Sequence, residues 1–343
     1  MKLFLKNFRS HKKLELDLEP ITIIIGPNGS GKTNILEAVS FISAARSFRV
    51  EDKKNLIADG ADFCTIKLQD NEAIISRIPR TIATFKIKGV KKRIYDFVGR
   101  LPSVVFNPES LQIINGSPSE RRRFMDSLLA QTSTDYFKAL IDYKKILVRR
   151  NKVLQAIADY QADENQLDFW DEEMAAAASI IIQEREALAT FLRESFPRLY
   201  LKIAKKKDLV ELAYRSQIEG EVLTKIRQKR PIEIHARTTI FGPHRDDLEF
   251  LINSHQASNY ASRGEIRSMI LALKLAELKF IDKMKSEEAA IPTLLLDDVF
   301  SELDKHHRDH IHHLVKDYPT IITTTDLDHL SKELKERAEL LEL

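Results

Sequence analysis

A single cysteine, Cys64, stands in a chain of 343 residues. It excludes an intramolecular disulfide and suits a reducing compartment, so a cytoplasmic protein is expected. Without a spaced histidine partner it reads as a small buried hydrophobe rather than a nucleophile. No apolar run approaches the ~20 residues of a membrane span. Lys6, Arg9, Lys12 and Lys13 interrupt any signal-like stretch near the N-terminus. A soluble protein with no membrane partner is expected. Net charge is scarce too, since 54 Lys and Arg against 51 Asp and Glu leave only +3. A strongly basic nucleic-acid domain would stand further from neutrality, so any basic surface must come from local sorting of charge. What the chain does have is 43% hydrophobic and 31% charged residues. That excludes disorder as the dominant state and suits about two domains of ~150 residues.

Leu3–Phe8 and Leu14–Leu18 alternate apolar and polar side chains, as half-buried strands do. Ile21–Ile25 is a β-branched run suited to a central parallel strand. It feeds Gly26-Pro27-Asn28-Gly29-Ser30-Gly31-Lys32-Thr33, which matches the G-x-x-x-x-G-K-[ST] phosphate loop at every fixed position. Asn34-Ile35-Leu36-Glu37-Ala38-Val39 then continues as a helix. The glycines let the backbone turn its N–H groups onto phosphates, and the helix adds its positive end. Lys32 supplies a cation, and the Thr33 hydroxyl suits Mg²⁺. The strand-loop-helix context predicts a nucleoside triphosphate site rather than an ordinary glycine turn.

Residues 62–99 predict short antiparallel strands with turns at Asp70-Asn71 and Gly89. Lys86–Arg100 carries six basic residues and one acidic, a solvated sheet face before it is a DNA contact. Ser117-Pro118-Ser119-Glu120 carries three helix-start signals. Apolar stripes through Phe137–Ile157 and Phe169–Leu192, joined by the polar Gln161–Gln166, predict an antiparallel helical hairpin ended by Pro197. Each helix would be about 40 Å long at ~1.5 Å per residue, too short for a true coiled-coil arm. Charge is sorted along this stretch: +5 over residues 120–153, −8 over 159–186 and +6 over 198–230. An acidic distal hairpin between basic segments would form an electrostatic track for a polyanion.

Leu294-Leu295-Leu296-Asp297-Asp298 is an apolar strand ending in two carboxylates, the form of a Walker B strand. Its first Asp would hold the Mg²⁺ shell, and the second would orient or deprotonate water. Ile321–Asp326 reads as another buried strand whose polar end could face the nucleotide. Ser262-Arg263-Gly264-Glu265 opens a helix and offers a second phosphate-binding end, which a symmetric dimer could close over its partner's nucleotide. His306, His310 and His313 share a helical face, yet no further cluster accompanies them, which favours a surface or dimer-facing helix over Zn²⁺.

In these motifs the chain resembles the RecF family of bacterial recombination-repair ATPases, short-armed relatives of the SMC and ABC ATPases. The likeness runs through Asn7–His11, Gly26–Ala38, Arg46–Arg49, Val105–Glu109, Gly116–Pro118, Arg121–Asp126, Gly242–Asp247, Ala261–Arg267 and Leu294–Asp304. It implies an α/β fold, an ABC/SMC-type ATPase head with mixed sheets and an inserted α-helical lobe carrying a short antiparallel hairpin. The head would comprise residues 1–110 and 235–343, and the lobe 111–234. It further implies a weak, DNA-stimulated, Mg²⁺-dependent ATPase that forms an ATP-dependent homodimer on gapped or junction DNA. RecO and RecR would be partners, with RecA loaded indirectly.

Carried over by position, Gly26 to Asn34 (Gly26, Pro27, Asn28, Gly29, Ser30, Gly31, Lys32, Thr33, Asn34) would bind ATP. Thr33 and Asp297 would bind Mg²⁺, and Lys32, Asp297 and Asp298 would be catalytic. Ser262, Arg263, Gly264 and Glu265 would form the signature acting in trans, and Ser301, Glu302, Leu303 and Asp304 the D-loop. Glu265 and Ile266 stand where the family usually carries Gln, so Glu265 is expected to point away from a γ-phosphate. A transporter nucleotide-binding subunit is disfavoured by the missing LSGGQ and by Asp298 in place of the usual Glu. An SMC-like scaffold is disfavoured by the short hairpin, and an ATP-dependent nuclease by the absence of a second carboxylate-rich centre.

Overall fold

A computed structural model describes residues 1–204, 206, 208–218, 220–285 and 289–343. Its strands in chain order begin with β1 (Lys2–Phe8), β2 (His11–Asp17), β3 (Ile21–Ile25), β4 (Phe63–Leu68), β5 (Asn71–Ser76), β6 (Ile82–Ile87), β7 (Val90–Lys92) and β8 (Ser103–Phe106). They continue with β9 (Val210–Arg215), β10 (Asp247–Ile252), β11 (His255–Gln256), β12 (Thr293–Asp297), β13 (Thr320–Thr324) and β14 (Glu339–Glu342). The chain separates into two compact units, one of Met1–Ser110 with Glu277–Leu343 and one of Leu111–Ala276.

The first unit holds two sheets. The antiparallel one runs β2-β1-β4-β5-β6-β7. Alternation along β1 and β4 puts Leu3, Leu5, Cys64, Ile66 and Leu68 inside, where burial pushes the Cys64 thiol up to about 12 and makes it inert. The other sheet, β14-β3-β13-β12-β8, is parallel throughout. Its central strands read as continuous Ile, Leu and Thr because both faces are covered. The helix Lys32–Ala44 packs on it through Ile35, Leu36, Val39 and Ile42. In such sheets ligands bind beyond the carboxyl ends of the strands. Register brings three of those ends level: Asp297 of β12 lies opposite Thr323 of β13, and Thr324 lies opposite Ile25 of β3.

The second unit contains the hairpin as helices Thr134–Ala158 and Leu167–Ile203. At ~1.5 Å per residue they span roughly 37 and 55 Å. Pro197 does not end the second helix as expected but lies within it. Leu199, Tyr200 and Ile203 beyond it are buried, and that packing outweighs the one backbone bond a proline removes. Ser117 stands at the N-cap of Pro118–Thr132, but its hydroxyl contacts Ser119 instead of capping the backbone.

The lobe is not purely helical. Val210 and Leu212 alternate with exposed neighbours to form β9, which pairs with β10, and β10 with β11. Because this sheet joins residues on both sides of 234, the expected boundary at 234/235 moves to 276/277. The expected electrostatic track is also revised. Arg227 and Arg230 of the last basic block pair with Glu172 and Asp168 of the acidic one, and Arg237, just beyond the block, pairs with Asp159. The two blocks therefore neutralise each other in part across packed helices. Lys205, Lys207 and Glu219 of the 198–230 block lie outside the described residues. Among the described residues, no helix is long and apolar enough to cross a membrane.

Candidate functional site

The phosphate loop leaves β3 at Gly26 and enters the helix at Lys32. Gly31 caps that helix with φ 101°, a backbone state costly for any side chain. A Cβ there would also lie 2.7 Å from the His11 ring. The first N–H groups of a helix have no intrahelical acceptor, and this helix begins inside a cleft of about 320 Å³. Asn28, Gly29, Gly31, Lys32, Thr33, Asn34, Asp297 and Asp298 line it, joined by Ser10, Arg49, Thr323 and Thr325. Gly26 and Pro27 sit behind the lining and offer carbonyls to Lys32 Nζ at 2.7 and 2.9 Å. The Lys32 amine is thus folded onto the loop, where a phosphate oxygen would offer it a stronger, charged acceptor. Ser30 Oγ is buried without a hydrogen-bond partner.

Sequence positions 264 residues apart meet at the mouth of the loop. Thr33 Oγ1 donates to Asp297 Oδ1 at 2.8 Å, and Thr323 Oγ1 donates to the same oxygen at 2.7 Å. The resulting donor set is hard oxygen, the chemistry that suits a small divalent cation. The next residue, Asp298, takes a left-handed φ of 51°. Its N–H is held by the Thr323 carbonyl at 3.1 Å, while its Oδ1 is buried with no hydrogen-bond partner. A carboxylate held by its backbone and free at its tip can orient or accept a proton.

Residues outside the candidate list complete the cleft. Glu37, fully buried in the helix, accepts from Arg9 Nε and Nη2 at 2.8 and 2.6 Å, and also from the Ser47 hydroxyl. Arg49 approaches Glu37 to 3.7 Å and donates to Asn34 Oδ1 at 3.0 Å. Asn34 in turn donates to Ser10 Oγ. Glu37 thereby ties Arg49 and the β1–β2 turn to the loop. A lone Glu among apolar helix residues was the available signal, because a buried carboxylate requires cationic partners.

The remaining predicted residues are not among those lining the cleft. Ser262–Glu265 belong to the second unit, where the helix Arg263–Met284 starts. Glu265 turns back on its own helix start: Oε2 accepts from Ser262 N–H at 2.8 Å, and Ser262 Oγ accepts from Glu265 N–H at 3.4 Å. This reciprocal cap is the first cause of a Glu265 carboxyl held below the usual range. Ser301 Oγ donates to the Asp298 carbonyl at 2.8 Å, and Leu303 is buried. Glu302 ends the turn Val299–Glu302, and its side chain lies outside the described residues. Asp304 caps the next helix through His307 N–H and also meets His307 Nδ1 at 2.8 Å. His306 and His310 stack edge-on at 5.0 Å. Among the described residues no group of His, Cys, Asp and Glu could hold a metal on its own.

A family model described as the RecF/RecN/SMC N-terminal domain matches residues 1–337. The DNA replication and repair protein RecF of Lactobacillus gasseri is 34% identical, covering 96% of this chain and 93% of that protein. RecF of Lachnoclostridium phytofermentans is 35% identical, with 94% and 92% covered. Among solved structures, the recombination mediator protein RecF-ATPrS of the RecFOR pathway superposes with a TM-score of 0.85 at 28% identity, covering 96% of this chain and 93% of that one. Its RecF-ATP counterpart gives 0.84 at 27%, covering 96% and 92%. Phosphate loop, level strand ends and end-to-end likeness agree: the fold is an SMC/ABC-type ATPase head, and the chain belongs to the RecF family of DNA replication and repair proteins.

Proposed function

We propose that this chain is an ATP-gated DNA clamp, binding ATP and Mg²⁺ in the cleft between β3 and β12 and hydrolysing ATP slowly. The observation that carries the reading is the knot in which Thr33 and Thr323 both donate to Asp297 Oδ1. A hydroxyl and a carboxylate paired beside a phosphate loop suit a phosphate-bound Mg²⁺, which supports the reading. Bound Mg²⁺ would supply positive charge to the β- and γ-phosphates. Lys32 exchanges its loop carbonyls for phosphate oxygens, and Asn28, Ser30 and Asn34 border the same path. Asp298, with its free Oδ1, orients the attacking water and takes up its proton.

In this reading Ser262, Arg263 and Gly264 engage the nucleotide of a second copy, while Glu265 stays with its own helix cap. The stretch Ser301–Asp304 supplies the D-loop of that contact. ATP-dependent dimerisation then closes the clamp on gapped or junction DNA, and DNA stimulates hydrolysis that resets it. RecO and RecR act as partners, with RecA loaded as the outcome, in the cytoplasm that Cys64 suits. The likeness to RecF proteins of the RecFOR pathway supports this course.

Lys32→Ala tests the core of the proposal. ATP affinity measured by calorimetry should fall by ~10- to 100-fold, the weight of a charge-assisted contact, with melting unchanged; full affinity would overturn it. Ser262→Arg should leave monomer binding intact and abolish the ATP-dependent dimer in sedimentation. Binding to gapped and duplex probes with and without ATP, across a salt series, tests the DNA step.

A further inference from the structure

The distal end of the hairpin combines exposed aromatic rings with uncompensated carboxylates, and neither feature serves the nucleotide cleft. The helix Thr134–Ala158 ends in two bonds, Tyr160 N–H to the Ile157 carbonyl at 3.0 Å and Gln161 N–H to the Ala156 carbonyl at 2.8 Å. This pattern needs a left-handed residue at position 160, ordinarily glycine. Tyr160 fills it with φ 58° and is 98% exposed. Just beyond the loop, Phe169 is 60% exposed and meets Trp170 edge-on, with ring centres 5.1 Å apart. At the same end of the hairpin Leu154, Ile157 and Leu167 form a buried cluster flanked by Val153, Ala162 and Ile234.

Charge at this end is lopsided. Asp159, Asp168 and Glu172 are neutralised by arginines at or near the helix Val222–Ala236. Asp163, Glu164 and Glu173 are exposed and have no ion pair among the described residues. Aromatic faces attract cations, and carboxylates beside them select guanidinium and ammonium groups. The same carboxylates repel phosphates. We propose that the hairpin tip, through Tyr160, Phe169 and Trp170 with Asp163, Glu164 and Glu173 close to them in the chain, is a docking surface for a protein segment carrying arginine or lysine beside apolar side chains. This surface is separate in chemistry from any DNA contact, and the proposal stands without the clamp reading.

Trp170 is the chain's one tryptophan, so its emission reports on the tip of the full-length protein. The probe is a short peptide of alternating arginine and leucine, compared with a lysine–glycine peptide of equal charge, a glutamate–leucine peptide and duplex DNA. A saturable emission change is expected with arginine–leucine, at least ~10-fold weaker with lysine–glycine, and none with the other two. Phe169→Ser, Glu164→Lys and Tyr160→Gly should each weaken it at least ~10-fold. Tyr160→Gly places glycine where the backbone favours it, so its loss of binding could not come from unfolding. Equal binding of the two cationic peptides, undiminished binding by the variants, or an emission change driven by duplex DNA would each overturn the proposal.

Discussion

Asp298 in the first unit and Asp246 in the second are both carboxylates next to a strand end, and their surroundings could hardly differ more. Asp246 is fully buried and fully engaged. Its oxygens accept from Arg185 Nη1 at 3.0 Å, Gln217 N–H at 3.0 Å and the Tyr214 hydroxyl, while its carbonyl accepts from Arg122. Asp298 is positioned by its backbone, and its Oδ1 meets no donor. The same contrast extends around each residue. In the lobe, Arg185 also binds Asp126 and the Pro243 carbonyl, and buried Arg150 bridges Asp171 and Glu233. Glu233 Oε2 lies 2.7 Å from Arg150 Nη1 but outside hydrogen-bond geometry, so charge rather than direction holds that contact. Carboxylates closed on their partners hold a fold together, whereas one left open is available for chemistry.

The comparison is broken most forcefully at Arg185. Arg185→Ala strands Asp126 and Asp246 in the interior and should cost about 3–5 kcal/mol, the usual penalty for an orphaned buried charge. Denaturant titration measures it, and a cost below about 1 kcal/mol would show the network to be dispensable. Asp298→Asn attacks the open side. Asparagine tolerates the left-handed backbone, so the fold and ATP affinity should persist while hydrolysis falls by ~100-fold or more. Hydrolysis at the parental rate would leave Asp298 without a chemical role.

His244 sharpens the comparison through pH. Its Nδ1 accepts from the Tyr143 hydroxyl at 2.7 Å, and its Nε2–H donates to the Thr239 carbonyl at 3.2 Å, which fixes the neutral ring. Burial is the first cause lowering it from 6.5 to about 4. The unfolded chain binds a proton below about 6.5 that the folded chain refuses until about 4, so stability falls as pH drops through that window. His244→Asn should flatten this part of the pH–stability curve, and an unchanged slope would assign it to other groups. The smallest effect is expected at the tip. Tyr160→Gly relieves a left-handed side chain while loosening the unfolded chain, for a net gain of roughly 0.5–1 kcal/mol in denaturation.

How much of this was legible depends on distance along the chain. Gly26–Thr33 and Leu294–Asp298 could be read because strand, turn and functional residue are consecutive, and the parallel sheet only had to align them. The Arg185 network could not, since its partners at 126, 136, 243 and 246 come from separate elements. No local pattern in the sequence links those positions to Arg185. β9 was hidden because its Val210 and Leu212 follow a lysine-rich stretch. Pro197 marks a helix end by local propensity alone, which carries no sign of the burial of Leu199, Tyr200 and Ile203 beyond it. Glu37 showed the need for partners without naming Arg9 and Ser47.

Gly31 and His11 lie twenty positions apart, yet Gly31 cannot drift alone. The imidazole Nε2 rests 3.1 Å from the Gly31 carbonyl and fills the space a methyl group at 31 would need. A shorter residue at 11 would open room at 31, but the positive φ would still admit glycine most readily. Mutational paths through this corner are therefore one-sided: position 11 can be explored while 31 is held, and never the reverse. In a library randomised at both sites, survivors should vary at 11 and remain glycine at 31.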